Sequence, residues 1–303
     1  MAVGLVLGPG VGTTATLFWA ALAGREEALR LALPLFVHRL LLSLLLLPLA
    51  AYGAGNALLW HLFSHLLYAL LYWPLSGVYA ALAEGLFPRR KVVPKYLRWE
   101  ALDSPLLALA LARRELARVA DAVRGMLVQA IRVLAQEEGG EASLQALEEK
   151  VDALTRELVL YTSELASRTR EEKAVKLFMA ASELEQLGDL VRRVVRQGER
   201  LWGQGLRFSQ EGKEELLQAL GRLLARMERL GAALATGEKA LAEEVLKEDL
   251  REYFQSLRRA HLHRLEAGLT ESRASTLAHL DILLTLETLD QGLLRLAQLV
   301  QEL

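Results

Sequence analysis

Two pairs of carboxylates stand at helical spacing, Glu148 with Asp152 and Glu185 with Asp189. Positions i and i+4 share one helix face. On neighbouring helices the two pairs can converge, and four carboxylates bind hard cations through oxygen. Crowded negative charges raise one another's pKa unless a cation or arginines intervene. Arg192 and Arg193, three and four positions after Asp189, could neutralise the cluster without any metal. With 37 acidic residues in the chain, the same spacing also arises on ordinary solvated faces.

A second stretch of interest is "GPGVGTTAT", residues 8–16, inside an uncharged run from Met1 to Gly24. Glycine and proline here predict an interruption at Gly8–Gly12 in a helix over roughly residues 2–23. On the residues alone, a glycine- and threonine-lined helix-packing face is the simplest account.

The elements that carry these groups live in two different solvents. Residues 1–87 hold three basic and three acidic residues, leaving 33 of 36 basic and 34 of 37 acidic residues to 88–303. Leu40–Ala83 contains no Asp, Glu, Lys or Arg over 44 residues. That length accommodates two crossings of about 20 residues each around the turn at 51–57. A lipid bilayer is therefore the expected partner of residues 1–87, with helices over 31–50 (kinked at Pro34 and Pro48) and 56–87. The stretch 88–103 forms a basic connector through Arg89, Arg90, Lys91, Lys95 and Arg98. The positive-inside rule puts that side in the cytoplasm of an inner-membrane, multi-pass protein. Cysteine is absent, so disulfides and thiolate metal sites are excluded.

Residues 104–303 show helical periodicity almost throughout. Asp103 or Ser104 caps a helix that has Pro105 in its first turn. Breaks at 137–141, 167–172, 203–209, 235–239 and 268–272 leave six long helices. "LEQLGDLVRRVV" (184–195) is echoed by "LETLDQGLLRLA" (286–297), which predicts two related three-helix bundles. The fold class expected for the whole chain is all-α. Basic and acidic residues alternate, which argues against nucleic acid. No phosphate loop, zinc motif or nucleophile with a base stands out, so an enzyme is not expected.

The sequence resembles the sodium/phosphate cotransporter family over nearly its whole length. "LGPGVGTTATLFWAALAG" resembles that family's "GANIGTT" segment, and "HLFSHLLYALLYWPL" (61–75) its following "HTLFN" helix. "VVPKYLRWEALDSPLLALALARRELARV" resembles the connector into a PhoU-like domain, whose carboxylate motifs are similar to "EKVDAL" and "ELEQLGDL". The resemblance implies a partial second transporter repeat over 1–87 and a PhoU-like regulatory domain over 104–303. It implies phosphate and sodium binding around Gly8, Gly10, Gly12, Thr13, Thr14 and His61, at a helix break shielded by protein. It also implies iron or zinc at Glu148, Asp152, Glu185 and Asp189. In the second bundle Glu287 precedes Gln291 where an Asp is expected, and Glu248 with Glu252 is a weaker pair, so one cluster is expected to be lost. His261 and His263 resemble PhoU's "H-x-x-RL", with packing or solvent expected for each rather than ligation.

Departures from the family pattern are specific. Gly10 replaces an asparagine, Leu35 stands at a histidine position, and Arg39 and His65 each stand at an asparagine position. The Gln-Ser-Ser-Ser segments and the first repeat do not appear. The expected function is thus one component of a sodium-dependent phosphate transporter, completed by a first repeat or a homo-oligomeric partner. The alternative is a non-transporting membrane anchor for a PhoU-like regulator or metal-binding scaffold.

Overall fold

A computed structural model describes residues 2–22, 26–48, 57–87, 92–136 and 139–303. Residues 51–56 of the predicted turn at 51–57, Glu137 and Glu138 of the turn at 137–141, and Arg89, Arg90 and Lys91 lie outside the described residues. The chain divides into two compact units, 1–91 and 92–303. All regular structure among the described residues is helical.

The first unit contains α1 (Ala2–Leu22), α2 (Glu26–Leu46) and α3 (Ala57–Leu86). Each carries one internal proline, Pro9, Pro34 or Pro74. A proline removes one backbone donor from a helix, and leucine-rich surroundings give the chain no better partner than its own carbonyls. The helices therefore run on. The expected interruption at Gly8–Gly12 is absent, because α1 is continuous from Ala2 to Leu22. The hydrophobic cluster between these helices is small, with Leu7, Leu42, Leu46 and Tyr68 buried in it. Most large side chains point outward, including Leu62, Leu66, Leu70 and Trp73, the last 84% exposed. Ala28–Leu46 and Leu58–Leu86 are long and apolar enough to cross a membrane. A core helix would hide such a surface, yet only 11% of the second span is buried, so lipid is the solvent that suits it.

The second unit begins with an extended connector and a 3₁₀ turn, Trp99–Asp103. Then follow α4 (Pro105–Gln136), α5 (Glu141–Thr169), α6 (Glu172–Gly203) and α7 (Gln210–Thr236). The fifth predicted helix is two, α8 (Lys239–Lys247) and α9 (Arg251–Glu266). A short α10 (Thr270–Ala274) leads into α11 (Thr276–Glu302). Helices α4, α5 and α6 form one three-helix group, and α7, α8 and α11 a second. The groups share a core, since α6 lies along α11 and α4 along α7. The echoed sequence segments meet at this seam. A methyl at Gly292 would stand 2.7 Å from Leu187 and 2.9 Å from Glu183, so glycine sets the close approach of α6 and α11.

Glutamate 115 fastens the connector to this unit. It is fully buried on α4, and its Oε2 accepts the backbone N–H of Lys95 at 2.9 Å and of Tyr96 at 2.8 Å. Its Oε1 pairs with Arg118. A charged residue is seldom buried without such partners.

Candidate functional site

In the first unit, one arginine links all three helices. Arg39 on α2 donates from Nη2 to Nε2 of His65 on α3 at 2.6 Å. Its guanidinium lies over the Tyr68 ring, 4.7 Å from the centroid. Toward α1 it rests on Gly10, where an added methyl would come within 3.1 Å of Nε and Nη2. Glycine is therefore the residue that lets the guanidinium reach the α1 backbone. Arginine stays protonated, so Nε2 of His65 must accept. The other ring nitrogen, Nδ1, then carries the hydrogen and donates to the His61 carbonyl at 2.9 Å. The His61 and His65 rings lie 4.1 Å apart. Nε of Arg39 is buried without an acceptor, and no carboxylate lies within ion-pair reach of this residue among the described residues.

Of the residues singled out by the family resemblance, Gly10 and His61 join this arrangement. Gly8, Gly12 and Thr13 face outward on α1. Thr14 is buried, but its hydroxyl bonds to the carbonyls of Gly10 (3.3 Å) and Val11 (3.0 Å). Thr13 likewise bonds to the Gly10 carbonyl at 3.0 Å. Since α1 does not break, these hydroxyls are spent on their own helix, as threonine commonly does within helices. Leu35, at the family's histidine position, is exposed. A neighbouring pair, His38 and Tyr79, bonds at 2.7 Å beside a groove of about 310 Å³ lined also by Leu41, Leu45, Leu71 and Leu75. That groove does not include Arg39.

In the second unit the four carboxylates share the α5–α6 face but do not act as one set. Glu148 pairs with Arg192. Asp152 is held above the usual carboxylate range by partial burial and then by Asp189, with Arg156 opposing. Glu185 is likewise raised by partial burial and by Asp152 and Asp189, again opposed by Arg156. Both side chains remain largely solvent-exposed. Arg193 turns away and binds Asp281 on α11 at 2.9 Å. Among the described residues no group of three or more His, Asp or Glu is disposed to hold a metal ion. With Glu148 taken by Arg192, the expected four-ligand set does not fit a metal as arranged.

Two of the three weaker carboxylates of the second group approach arginines. Glu287 receives two bonds from Arg258, at 2.7 and 3.2 Å. Glu248 approaches Arg226 and Arg229 at 3.6 and 3.5 Å, while Glu252 is exposed. Deeper in the core, Arg226 is fully buried and pairs with the equally buried Asp290. It also donates to the Glu248 carbonyl at the α8–α9 break. His261 is buried and stacks on His279 with centroids 4.4 Å apart, whereas His263 is 80% exposed. Burial, then His261 and Arg264, push the His279 pKa down to about 3. Neither Arg226–Asp290 nor His261–His279 carries a sequence signal, because each partner lies on a different helix.

No protein-family model matches the chain. No solved structure matches it either. Its similarity is to curated proteins named "Putative inorganic phosphate export protein YjbB". The Salmonella typhimurium protein (strain LT2) is 27% identical over 308 residues, covering 92% of this chain and 56% of that protein. The proteins of Escherichia coli K12 and Shigella flexneri are each 26% identical over 310 residues, with the same coverage. The chain thus spans little more than half the length of the curated relatives it matches, and the similarity runs through both of its units.

Proposed function

We propose that this chain is a component of a phosphate transporter, with residues 1–87 contributing to the membrane pathway and 104–303 serving as a cytoplasmic regulatory domain. The observation that carries this reading is the similarity to phosphate export proteins across 92% of the chain, through both the apolar and the charged unit. The relatives are longer, so the pathway is completed by further transporter sequence, on this chain or on another. A cationic side chain inside an apolar helical unit supports an anion as cargo, since intramembrane charges cluster on substrate pathways.

The resemblance brings sodium as the coupling ion, and the relatives' name brings outward movement. Both are decided by one experiment. The chain is reconstituted into vesicles with the remainder of its transporter, and radiolabelled phosphate is followed in each direction with sodium or choline outside. Flux that requires the chain supports the proposal, and its sodium dependence and direction settle the finer points. Flux unchanged by omitting the chain overturns it.

A second reading, a membrane anchor for a regulatory body, is favoured by one observation. The Thr13 and Thr14 hydroxyls are closed onto carbonyls of their own helix instead of facing a ligand. On that reading the vesicles show no flux, while deletion of residues 1–87 releases the second unit from the membrane.

A further inference from the structure

We propose that Arg39 is the oxyanion-binding residue of the membrane unit, accepting inorganic phosphate at its guanidinium while His65 and Gly10 hold that group in place. The inference deepens the phosphate reading above and depends on it only for the identity of the anion. Three features of the membrane unit lead to it.

The first is charge. A guanidinium in apolar surroundings is costly unless an anion accompanies it. Arg39 has a neutral imidazole and an aromatic face, but no carboxylate among the described residues. The second is unfilled donor capacity. A guanidinium carries five N–H donors, one is given to His65, and Nε has no acceptor. The residue also remains partly exposed, so it is not sealed into the helix trio. The third is posture. Gly10 gives the guanidinium a flat backbone floor, and His65 is fixed as an acceptor by its own bond to the His61 carbonyl. Restraining a side chain before its ligand arrives lowers the entropic cost of binding.

Depth separates two sources of the same chemistry. Arg39 lies eleven residues beyond Ala28 in a 19-residue span, about 16 Å along the helix. That is close to the middle of the hydrocarbon layer, beyond the ordinary reach of a lipid headgroup. Free phosphate is therefore the ligand, bound through forked, charge-assisted hydrogen bonds of the kind arginine forms with phosphate oxygens.

The test is equilibrium binding of radiolabelled inorganic phosphate to the full chain in nonionic micelles free of phospholipid. The wild-type chain binds, and Arg39→Gln weakens binding at least about tenfold, the loss expected for a charge-assisted contact. Arg39→Lys falls between the two, because lysine keeps the charge and loses the fork. His65→Gln, which keeps an acceptor, retains most of the binding, whereas His65→Phe does not. Phosphate also protects Arg39 of the unaltered chain from phenylglyoxal, a measurement that needs no variant. If Arg39→Gln binds phosphate as tightly as wild type, the inference fails while the phosphate reading survives. If sulfate but not phosphate binds in an Arg39-dependent way, the site stands and the phosphate reading fails. In a parallel arm with phosphatidylglycerol added to the micelles, binding of that lipid without binding of phosphate overturns the inference, as does binding of no anion at all.

Discussion

Two arginines inside two helical assemblies invite comparison. Arg226 in the second unit is fully buried, paired with Asp290 and bonded to the Glu248 carbonyl. Arg39 in the first unit is held by an imidazole, a tyrosine ring and a glycine, with no carboxylate beside it among the described residues. The first arrangement balances its charge within the fold, so it leaves nothing for a ligand. The second leaves a positive charge over, which is what an anion requires. Burial alone does not separate a structural arginine from a receiving one; the accounting of its partners does.

That contrast is most easily broken at Asp290. Asp290→Ala strands a buried guanidinium and should cost about 3–5 kcal/mol, read as a lowered unfolding midpoint of the second unit. The double change Arg226→Met with Asp290→Leu should recover most of the loss, since apolar replacement of a whole buried pair is close to neutral. A large cost in the double variant would show that the pair does more than balance itself.

The next effect is acid sensitivity. Burial, His261 and Arg264 hold His279 neutral, with its pKa down from 6.5 to about 3, while Glu215 lies 3.8 Å away. The unfolded chain then binds a proton that the folded one refuses. Stability contributed by the neutral ring is present above pH 6.5 and falls through the window down to about 3, at about 1.4 kcal/mol per pH unit where the difference is complete. His279→Phe should flatten denaturation midpoints across that window. A slope unchanged by this substitution would reassign the acid loss to other groups.

Arg39→Gln should behave unlike any change at Arg226. Without phosphate it should shift the unfolding midpoint by less than about 1 kcal/mol, because no buried carboxylate is stranded. A cost comparable to that of Asp290→Ala would make Arg39 a structural residue and erase the distinction drawn above.

The smallest expected effect lies on the α5–α6 face. The pKa of Glu185 is raised, so its ionised form is disfavoured in the fold and costs stability above the ordinary carboxylate pKa. Acidification through the folded pKa relieves that cost. Glu185→Gln should therefore raise the melting temperature by about 1–2 °C at neutral pH, as removal of a weak repulsion would. A lowered melting temperature would mean that the carboxylate is held by an attraction instead.

Much of this architecture was legible in the sequence because its causes are local. Charge depletion over Leu40–Ala83 marked the apolar unit, and glycine or polar clusters marked most helix ends. The failures have physical reasons too. Gly8-Pro9-Gly10 suggested a broken helix, yet one missing donor does not break a segment whose remaining carbonyls have no water to turn to. The division between α8 and α9 was invisible because Glu248, Asp249 and Leu250 include no glycine or proline. Arg39 could be noted only as a departure, since His65 lies 26 residues away and Gly10 on another helix. The carboxylate pairs were correctly placed on neighbouring helices, but spacing could not show that Arg192 would claim Glu148.

The α8–α9 break has a consequence for how this protein can change over generations. Arg226 fills the gap by bonding a carbonyl at the break while pairing with Asp290 on α11. Mending the helix alone would withdraw that carbonyl from the arginine. Removing the arginine alone would leave the carbonyl and the aspartate unsatisfied. Each single step passes through a less stable intermediate, so the break and the pair form an evolutionary ratchet. Arg226, Asp290 and the 248–250 junction should persist together in descendants of this chain, or disappear together.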